Sequence, residues 1–577
     1  MEERISETDD QGLWSVTGIS LTTRFRKIID YAPVWLLFIL GFSLVILRPL
    51  GSHLALIPGD LGDARFNNYV LEHFYQWVTG LTRDYWNAPF FFPFPGAITF
   101  SDNLLGSAPF YVLLRWIGFN MSSAFQGWYI FGCLLNFSAA GYVLWRLAFK
   151  PLGIGIGAFF FAFGLPLLAQ ENHAQLLYHF CIPLACYALW RFYQAPRLHH
   201  LVSLAAWLVW QLYLTIYMGI FLTLLLAAIT ILLPSIVEAE TFLKRLAIWP
   251  RRLIDAWTSA HLAEKLFAGL SLALLSLGLW AIIQPYYQTS RIYGFSRSWE
   301  EVSRLLPRWQ SYLLADHSQL WGSISRLFSY LPLPHEHQLF PGLAAVLLIL
   351  VGISMRFHTQ NTRLAWLHFS AALALVALTL QVSDHSLYWL VWRLPGMNSL
   401  RAITRIILVI MWPLSLFMAW VADGVIQRFR QQRHWMLMGV YLVTGLLVAE
   451  SVFYSHSTYD KTIALARLDS LRQQIPMIVP QDPILFVARD QQEAFWTREL
   501  DAMLLAQQLG WPTLNGYSGN DPPGYQPADS CKQLPARIEN YMEFAGISSP
   551  TFYLDMIKRV VPIGFADCHP DWWIDMP

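Results

Sequence analysis

The feature that most constrains this chain is a succession of long apolar runs. They fall at 33–50, 127–147, 152–169, 176–190, 201–217, 218–233, 266–283, 341–355, 364–382, 403–425 and 435–453. A helix needs about 20 apolar residues to cross the hydrocarbon of a bilayer. Hydrocarbon offers no partner to a free N–H or C=O, so a helix is the element such runs form. They predict an all-α polytopic membrane protein with about eleven transmembrane helices. Composition agrees: hydrophobic residues make up 55% and charged residues 13% of the 577, about half the charge of an ordinary soluble domain. The formal net charge of +1 leaves no electrostatic footprint for nucleic acid.

Charge placement sets the expected topology. The segment 1–32 is polar and reads as cytoplasmic; Arg24, Arg26 and Lys27 precede the first run, which reads as a signal-anchor and not a cleaved signal. Basic clusters then follow every even-numbered run: Arg146 and Lys150; Arg191 and Arg197; Lys244, Arg245, Arg251 and Arg252; Arg356 and Arg363; Arg428, Arg430 and Arg433. Basic residues stay in the cytoplasm. A further apolar stretch, 104–119, is short and holds Arg115; counting it as a span would turn every later cluster outward, so it reads as an interfacial or re-entrant helix. A transmembrane domain over 33–455 therefore carries outer loops at 51–126, 284–339 and 383–401, and the region 456–577 lies on the same outer side.

That last region is too polar for spans and reads as a small extracytoplasmic α/β domain. A buried strand is predicted at 484–488, a helix at 499–509 with apolar Leu500, Met503, Leu504 and Leu509 at mixed three and four spacing, and a turn-rich loop at 515–524. Further helix or strand is expected at 538–544 and 553–560. Cys531 and Cys568 are its only cysteines, and such a pair in an oxidising compartment suggests a disulfide. Cys133, Cys181 and Cys186 lie in apolar runs and read as core thiols.

The polar residues gather in the outer loops. The stretch 58–75, PGDLGDARFNNYVLEHFY, holds Asp60, Asp63, Glu72 and His73 directly after the first span. Acidic groups beside a span are costly unless solvated, paired or used; the plain alternative is a solvated loop with a helix cap. Arg401 and Arg405, four apart, would share one helical face at the mouth of the tenth span, where Arg suits bidentate phosphate contact; the alternative is interfacial snorkelling. Arg291 and Arg297 in the 284–339 loop are weaker candidates. His173, at the outer end of the third span, reads more readily as a hydrogen-bonded structural group than as a ligand. His335, Glu336 and His337 alternate like metal ligands but lack a third donor set, so no structural zinc is expected. A divalent cation, magnesium or manganese, could sit beside Asp60 and Asp63, since carboxylates suit such ions; no cofactor is required. The sequence has no phosphate-binding Gly-Lys-Ser/Thr loop and no dinucleotide fingerprint.

Taken in order, GDLGD (59–63), FFFPFPGAITFSDNLLG (90–106), NHAQLLYHFCIPL (172–184), EHQLFPGL (336–343), SLRAITR (399–405) and NGYSGNDPPGY (515–525) resemble a bacterial subgroup of the GT-C superfamily of integral-membrane glycosyltransferases. The resemblance covers most of the chain. It implies a polyprenyl-phosphate-linked sugar as donor, a cell-envelope glycan, lipid or protein as acceptor, surrounding membrane lipids, a bacterial inner-membrane location and a catalytic Asp early in the first outer loop, here Asp60 or Asp63. It further implies substrate-binding roles among Arg401, Arg405, His173, Glu72, His73, Arg291 and Arg297. The chain departs from relatives that carry an Asp-Glu pair at the loop start, which leaves both Asp residues open as the base; Asp63 is favoured because a predicted helix follows it directly. One carboxylate acting alone predicts inversion at the sugar. The competing reading is a non-enzymatic transporter or flippase of an envelope lipid or glycan, but that predicts polar or broken segments near the bilayer midplane and internal repeats, and neither is apparent here.

Overall fold

The computed structural model describes residues 29–237, 242–355, 357–429 and 434–568. The basic positions Arg24, Arg26, Lys27, Arg356, Arg430 and Arg433 lie outside the described residues, and of Lys244 and Arg245 only the backbone is described. Among the described residues, eight helices are long and apolar enough to cross a membrane: Ala32–Leu50, Met121–Arg146, Pro151–Leu168, Ile216–Ile236, Leu262–Tyr293, Thr362–Thr379, Ile403–Phe429 and Trp435–Val452. The three other runs form shorter apolar helices, Cys181–Gln194, Leu198–Leu214 and Leu343–Ser354. Their 14, 17 and 12 residues give lengths of about 21, 26 and 18 Å at ~1.5 Å per residue.

Ile403–Phe429 is the axis of the bundle and is buried from Ile403 to Val425. It packs against Pro151–Leu168, Thr362–Thr379 and Leu343–Ser354. Small residues permit the closest of these approaches. A Cβ on Gly157 would stand 2.9 Å from the Ser415 carbonyl oxygen, so that position has no room for a side chain.

Leu262–Tyr293 runs along the outside of the bundle with most of its leucines exposed. Its 32 residues reach about 48 Å, well beyond the ~30 Å hydrocarbon core. The sequence places the end of this helix at 283; it continues for ten residues. The extension is held by the first outer loop: Tyr286 donates to the Ser101 carbonyl at 2.8 Å, Thr99 to Thr289 at 2.7 Å, and Tyr293 to the Pro95 carbonyl at 2.8 Å. The expected re-entrant stretch is a nine-residue helix, Ala108–Trp116.

The outer helix Asp63–Val78 is the hub of the extramembrane part. Ala64 to His73 are all buried, so each polar side chain on it needs a partner. Asn67 donates to Gln175 at 2.8 Å, and Arg65 pairs with Asp501 at 2.7 Å. Asp501 lies on Phe495–Leu509, which packs against the hub helix from the C-terminal region. Antiparallel strands β1 (Leu56–Pro58) and β2 (Thr458–Asp460) make a second junction between these two parts. Farther out, β3 (Ile484–Val487) runs parallel to β4 (Val560–Ile563). Helices Gln533–Ala545 and Pro550–Arg559 close a small core of Ile484, Phe486, Leu514, Ile538 and Met556 against that sheet.

A disulfide joins Cys531 to Cys568, with Cα atoms 5.4 Å apart and a sequence separation of 37. Closing a loop of that length restricts the unfolded chain by roughly 4 kcal/mol. Cys531→Ser is expected to lower the stability of this outer region by about that amount, and non-reducing peptide mapping should recover the two cysteines in one linked pair. Two free thiols in the purified protein would contradict the linkage.

Candidate active site

The helix Asp63–Val78 begins at Asp63, so the first side chain it presents is a carboxylate. Asp60 fixes that start. Its Oδ1 accepts from the N–H of Gly62 at 3.0 Å and of Ala64 at 3.4 Å, satisfying donors a helix start leaves free. Burial, and then the neighbouring Asp63 charge, push the Asp60 carboxyl above its ordinary range. Asp60 is outside the lining of the adjacent cavity, whereas Asp63 is on its wall.

That cavity has a volume of about 180 Å³ and sits where the first outer loop, the end of Leu262–Tyr293, the segment before Ile403–Phe429 and the C-terminal loop meet. Asp63, Asp102, Arg297, Arg401, Arg405 and Tyr517 are among its walls. Asp63 is hydrogen-bonded on one oxygen: the Tyr517 hydroxyl donates to Oδ1 at 2.5 Å, while His173 Nε2 lies 3.4 Å from Oδ2. His173 also lies 3.7 Å from Glu336 Oε1. Burial, and then the Arg405 charge, lower the His173 pKa against the pull of Glu336 and Asp63, which favours the neutral imidazole.

The two arginines differ in their surroundings. Arg405 is buried and forms a two-point pair with Glu336, Nη2 to Oε1 at 2.9 Å and Nε to Oε2 at 3.3 Å, with its guanidinium 5.4 Å from the centre of the Tyr217 ring. Burial alone would raise Glu336; Arg405 and then His173 outweigh it and hold that carboxyl well below the usual range, at about 2. Arg401 is exposed toward the cavity, and its guanidinium has no hydrogen-bond or ion-pair partner among the described residues. The expected shared helical face is not formed. Arg401 lies in extended chain after the turn Met397–Ser399, Ile403–Ile406 is a 3₁₀ turn, and the α-helix starts at Ile407. Arg401 N–H donates to the Tyr217 hydroxyl and Thr404 N–H to the Leu305 carbonyl, which draws the segment out of helix. Both guanidinium groups nevertheless reach one cavity.

The remaining candidates divide. Arg297 is on the cavity wall, where Nη2 donates to the Gly519 carbonyl and to Asn520 Oδ1, each at 2.6 Å, and Nη1 pairs with Glu301 at 3.1 Å. Arg291 stands outside, its guanidinium 5.8 Å from the Tyr287 ring centre. Glu72 accepts from Tyr111 at 2.5 Å and pairs with Arg115 at 2.9 Å, away from the cavity. His73 is buried between Tyr69 and Tyr85, with Nε2 2.9 Å from the Tyr85 carbonyl. Among the described residues no group of three or more His, Cys, Asp or Glu is arranged to hold a metal ion. Asp60 Oδ1 and Asp63 Oδ1 each accept a hydrogen bond, from the Gly62 N–H and the Tyr517 hydroxyl.

No protein-family model and no curated protein matches this chain. Solved structures do resemble it, among them the following three. The archaeal oligosaccharyltransferase AglB from Archaeoglobus fulgidus, in complex with an inhibitory peptide and a dolichol-phosphate, is 12% identical over 85% of this chain and 65% of its own, with a TM-score of 0.45. The apo form of the Archaeoglobus fulgidus oligosaccharyltransferase is 11% identical over the same shares, with a TM-score of 0.48. Its complex with Zn and sulfate is 12% identical over 85% and 63%, with a TM-score of 0.46. The present chain thus spans 65% of the length of the first two. The likeness is distant, and the functional reading of the cavity rests on its own residues.

Sequence reasoning gives no role here to three residues. Tyr517 lies in the segment read as turn-rich and quoted for the resemblance, and Glu336 in the metal-like run with His335 and His337. Asp102 is a buried carboxylate in FSDN whose oxygens accept from Thr215 at 3.0 Å and the Ile216 N–H at 2.9 Å; burial raises its pKa despite those bonds.

Proposed function

We propose that this protein is a membrane glycosyltransferase that moves a sugar from a polyprenyl-phosphate donor to an envelope glycan, lipid or protein acceptor, with Asp63 as general base. The observation that carries this reading is the shared cavity. A half-exposed carboxylate and an unpaired guanidinium face one polar space, the pair of charges that lipid-phosphate glycosyl transfer needs. Asp63 takes the proton from the acceptor hydroxyl as its oxygen bonds to the anomeric carbon. The bond from that carbon to the phosphate oxygen breaks, and its electrons leave with the lipid phosphate. Arg401 holds the charge that grows on the phosphate, and the Arg405–Glu336 pair keeps the adjacent wall fixed. Asp102, the second carboxylate on the wall, has both oxygens engaged. A single free carboxylate fits one displacement with inversion, without a glycosyl-enzyme intermediate. The basic clusters favour an outer-face site in a bacterial inner membrane. No step in this scheme passes through a metal ion.

The direct test is to incubate the purified protein in lipid nanodiscs with radiolabelled polyprenyl-phosphate sugars and candidate acceptors, and to measure release of polyprenyl phosphate. Movement of intact lipid-linked sugar across vesicles, with no release under any pairing, would sink the enzyme reading in favour of a transporter. Arg401→Ala is expected to raise the donor KM about tenfold or more, since a hydrogen bond to a charged group contributes about 1.5–3 kcal/mol, with little loss of stability because Arg401 supports no buried partner. An unchanged donor KM would remove Arg401 from the phosphate site.

A further inference from the structure

We propose that Tyr517, carried by the outer C-terminal region, is a positioning residue for the Asp63 carboxylate, so that the reacting site is complete only when the 515–525 loop is seated on the membrane bundle. The proposal rests on the reading of Asp63 as base. The Tyr517 hydroxyl donates to Asp63 Oδ1 at 2.5 Å across a sequence separation of 454 residues. Its ring is set by packing as well as by Asp63: it meets Phe66 edge-on, with ring centres 6.0 Å apart. The loop on either side is anchored. Arg297 holds Gly519 and Asn520, and Asn520 Nδ2 donates to the Phe100 carbonyl at 3.1 Å. Gly516 N–H donates to Glu499 Oε2 at 3.0 Å, and a Cβ on Gly516 would fall inside the Phe91 ring, so the loop seats flush on the FFFPFP segment.

Burial, and then the Asp63 charge, hold the Tyr517 proton well above the ordinary phenol range. The phenol is therefore a donor at physiological pH. A carboxylate with one oxygen fixed by such a donor loses free rotation, and Oδ2 is turned to a set direction. That leaves Oδ2, with His173 3.4 Å away, as the oxygen that meets the acceptor proton. Neither strand pairing nor the salt bridges of the C-terminal region do this; among the described residues of that region, the Tyr517 hydroxyl is the one hydrogen-bonded to the Asp63 carboxylate.

Tyr517→Phe removes the hydroxyl and keeps the ring against Phe66. Turnover is expected to fall about ten- to a hundredfold, the scale of a slightly misplaced reacting group, with donor KM and thermal midpoint unchanged. Added to the Asp63→Asn background, the same substitution should change turnover little, because nothing remains to be positioned and effects within one contact do not add. Wild-type turnover in Tyr517→Phe, or an equal loss in both backgrounds, would overturn the proposal. Either result leaves the loss caused by Asp63→Asn in place, so it differs from a failure of the base assignment, in which Asp63→Asn alone retains full turnover.

Discussion

Asp63→Asn is expected to lower turnover by about a hundredfold or more, the usual scale for a positioned base, while donor binding is largely kept. The amide has the size and shape of the carboxylate. It can still accept the Tyr517 proton on its oxygen, so the wall of the cavity stays in place. What it cannot do is take a proton from the acceptor. On the proposed reading the phosphate end of the donor is held from the Arg401 side both before and during reaction, so that contact should persist. Initial rates of polyprenyl phosphate release, set beside equilibrium binding of labelled donor, separate the two effects. Asp60→Asn is the control. Its carboxylate serves the Gly62 and Ala64 N–H groups, and Asn is nearly as good a cap, so turnover should stay close to that of the unaltered protein. Full activity in Asp63→Asn together with its loss in Asp60→Asn would exchange the two roles.

The second large effect is expected at Asp501, and it is one of stability. Asp501 is fully buried between Arg65, itself 2% exposed, and Arg467, whose Nη2 lies 2.6 Å away; Arg498 stands at 3.8 Å. Desolvating these groups is costly, and the arrangement is tolerable because every charge in it has an opposite. Asp501→Ala leaves Arg65 buried without its carboxylate, which typically costs about 3–5 kcal/mol. The exposed Arg304–Glu300 pair, with side chains 61% and 77% exposed, should contribute little when removed. Thermal unfolding of the two variants in the same detergent checks the contrast. Pairing Asp501→Leu with Arg65→Met should recover most of the loss, because apolar replacement of a whole buried pair is often neutral. If Asp501→Ala unfolds at the same temperature as the starting protein, the buried network is not what joins the hub helix to the C-terminal region.

The membrane-spanning runs were legible because burial in hydrocarbon leaves a one-dimensional trace: twenty apolar residues in a row need no partner to be recognised. Where a run is shorter, as at Leu343–Ser354, the trace records an apolar helix without saying whether it crosses. The helix starting at Asp63 was legible for a local reason too, since the acidic turn and the periodic residues after it are adjacent in sequence. Convergence on the cavity was not. Asp63, Arg297, Arg401 and Tyr517 come from four separate outer segments, and nothing in the spacing of one refers to the others. The spacing of Arg401 and Arg405 even suggested the wrong local geometry, because their shared orientation comes from a 3₁₀ turn and long-range bonds to Tyr217 and Leu305. Tyr517 left a fainter signal. The glycines around it marked a turn-rich loop, but only the fold shows that Gly516 closes on Phe91.

The bond between Asp63 and Tyr517 also orders events in time. A ribosome completes the Asp63 helix early and must then add the 454 residues that separate it from Tyr517. At roughly 5–20 residues per second that takes from about twenty seconds to over a minute. Throughout that interval the Asp63 carboxylate is already made, yet its phenol partner is still inside the ribosome or the translocon. On the proposed reading a half-made chain is a poor catalyst, and transfer of sugar is expected to begin only once the 515–525 loop has docked. The same holds for a product truncated anywhere before 517, which should insert normally and remain nearly inert.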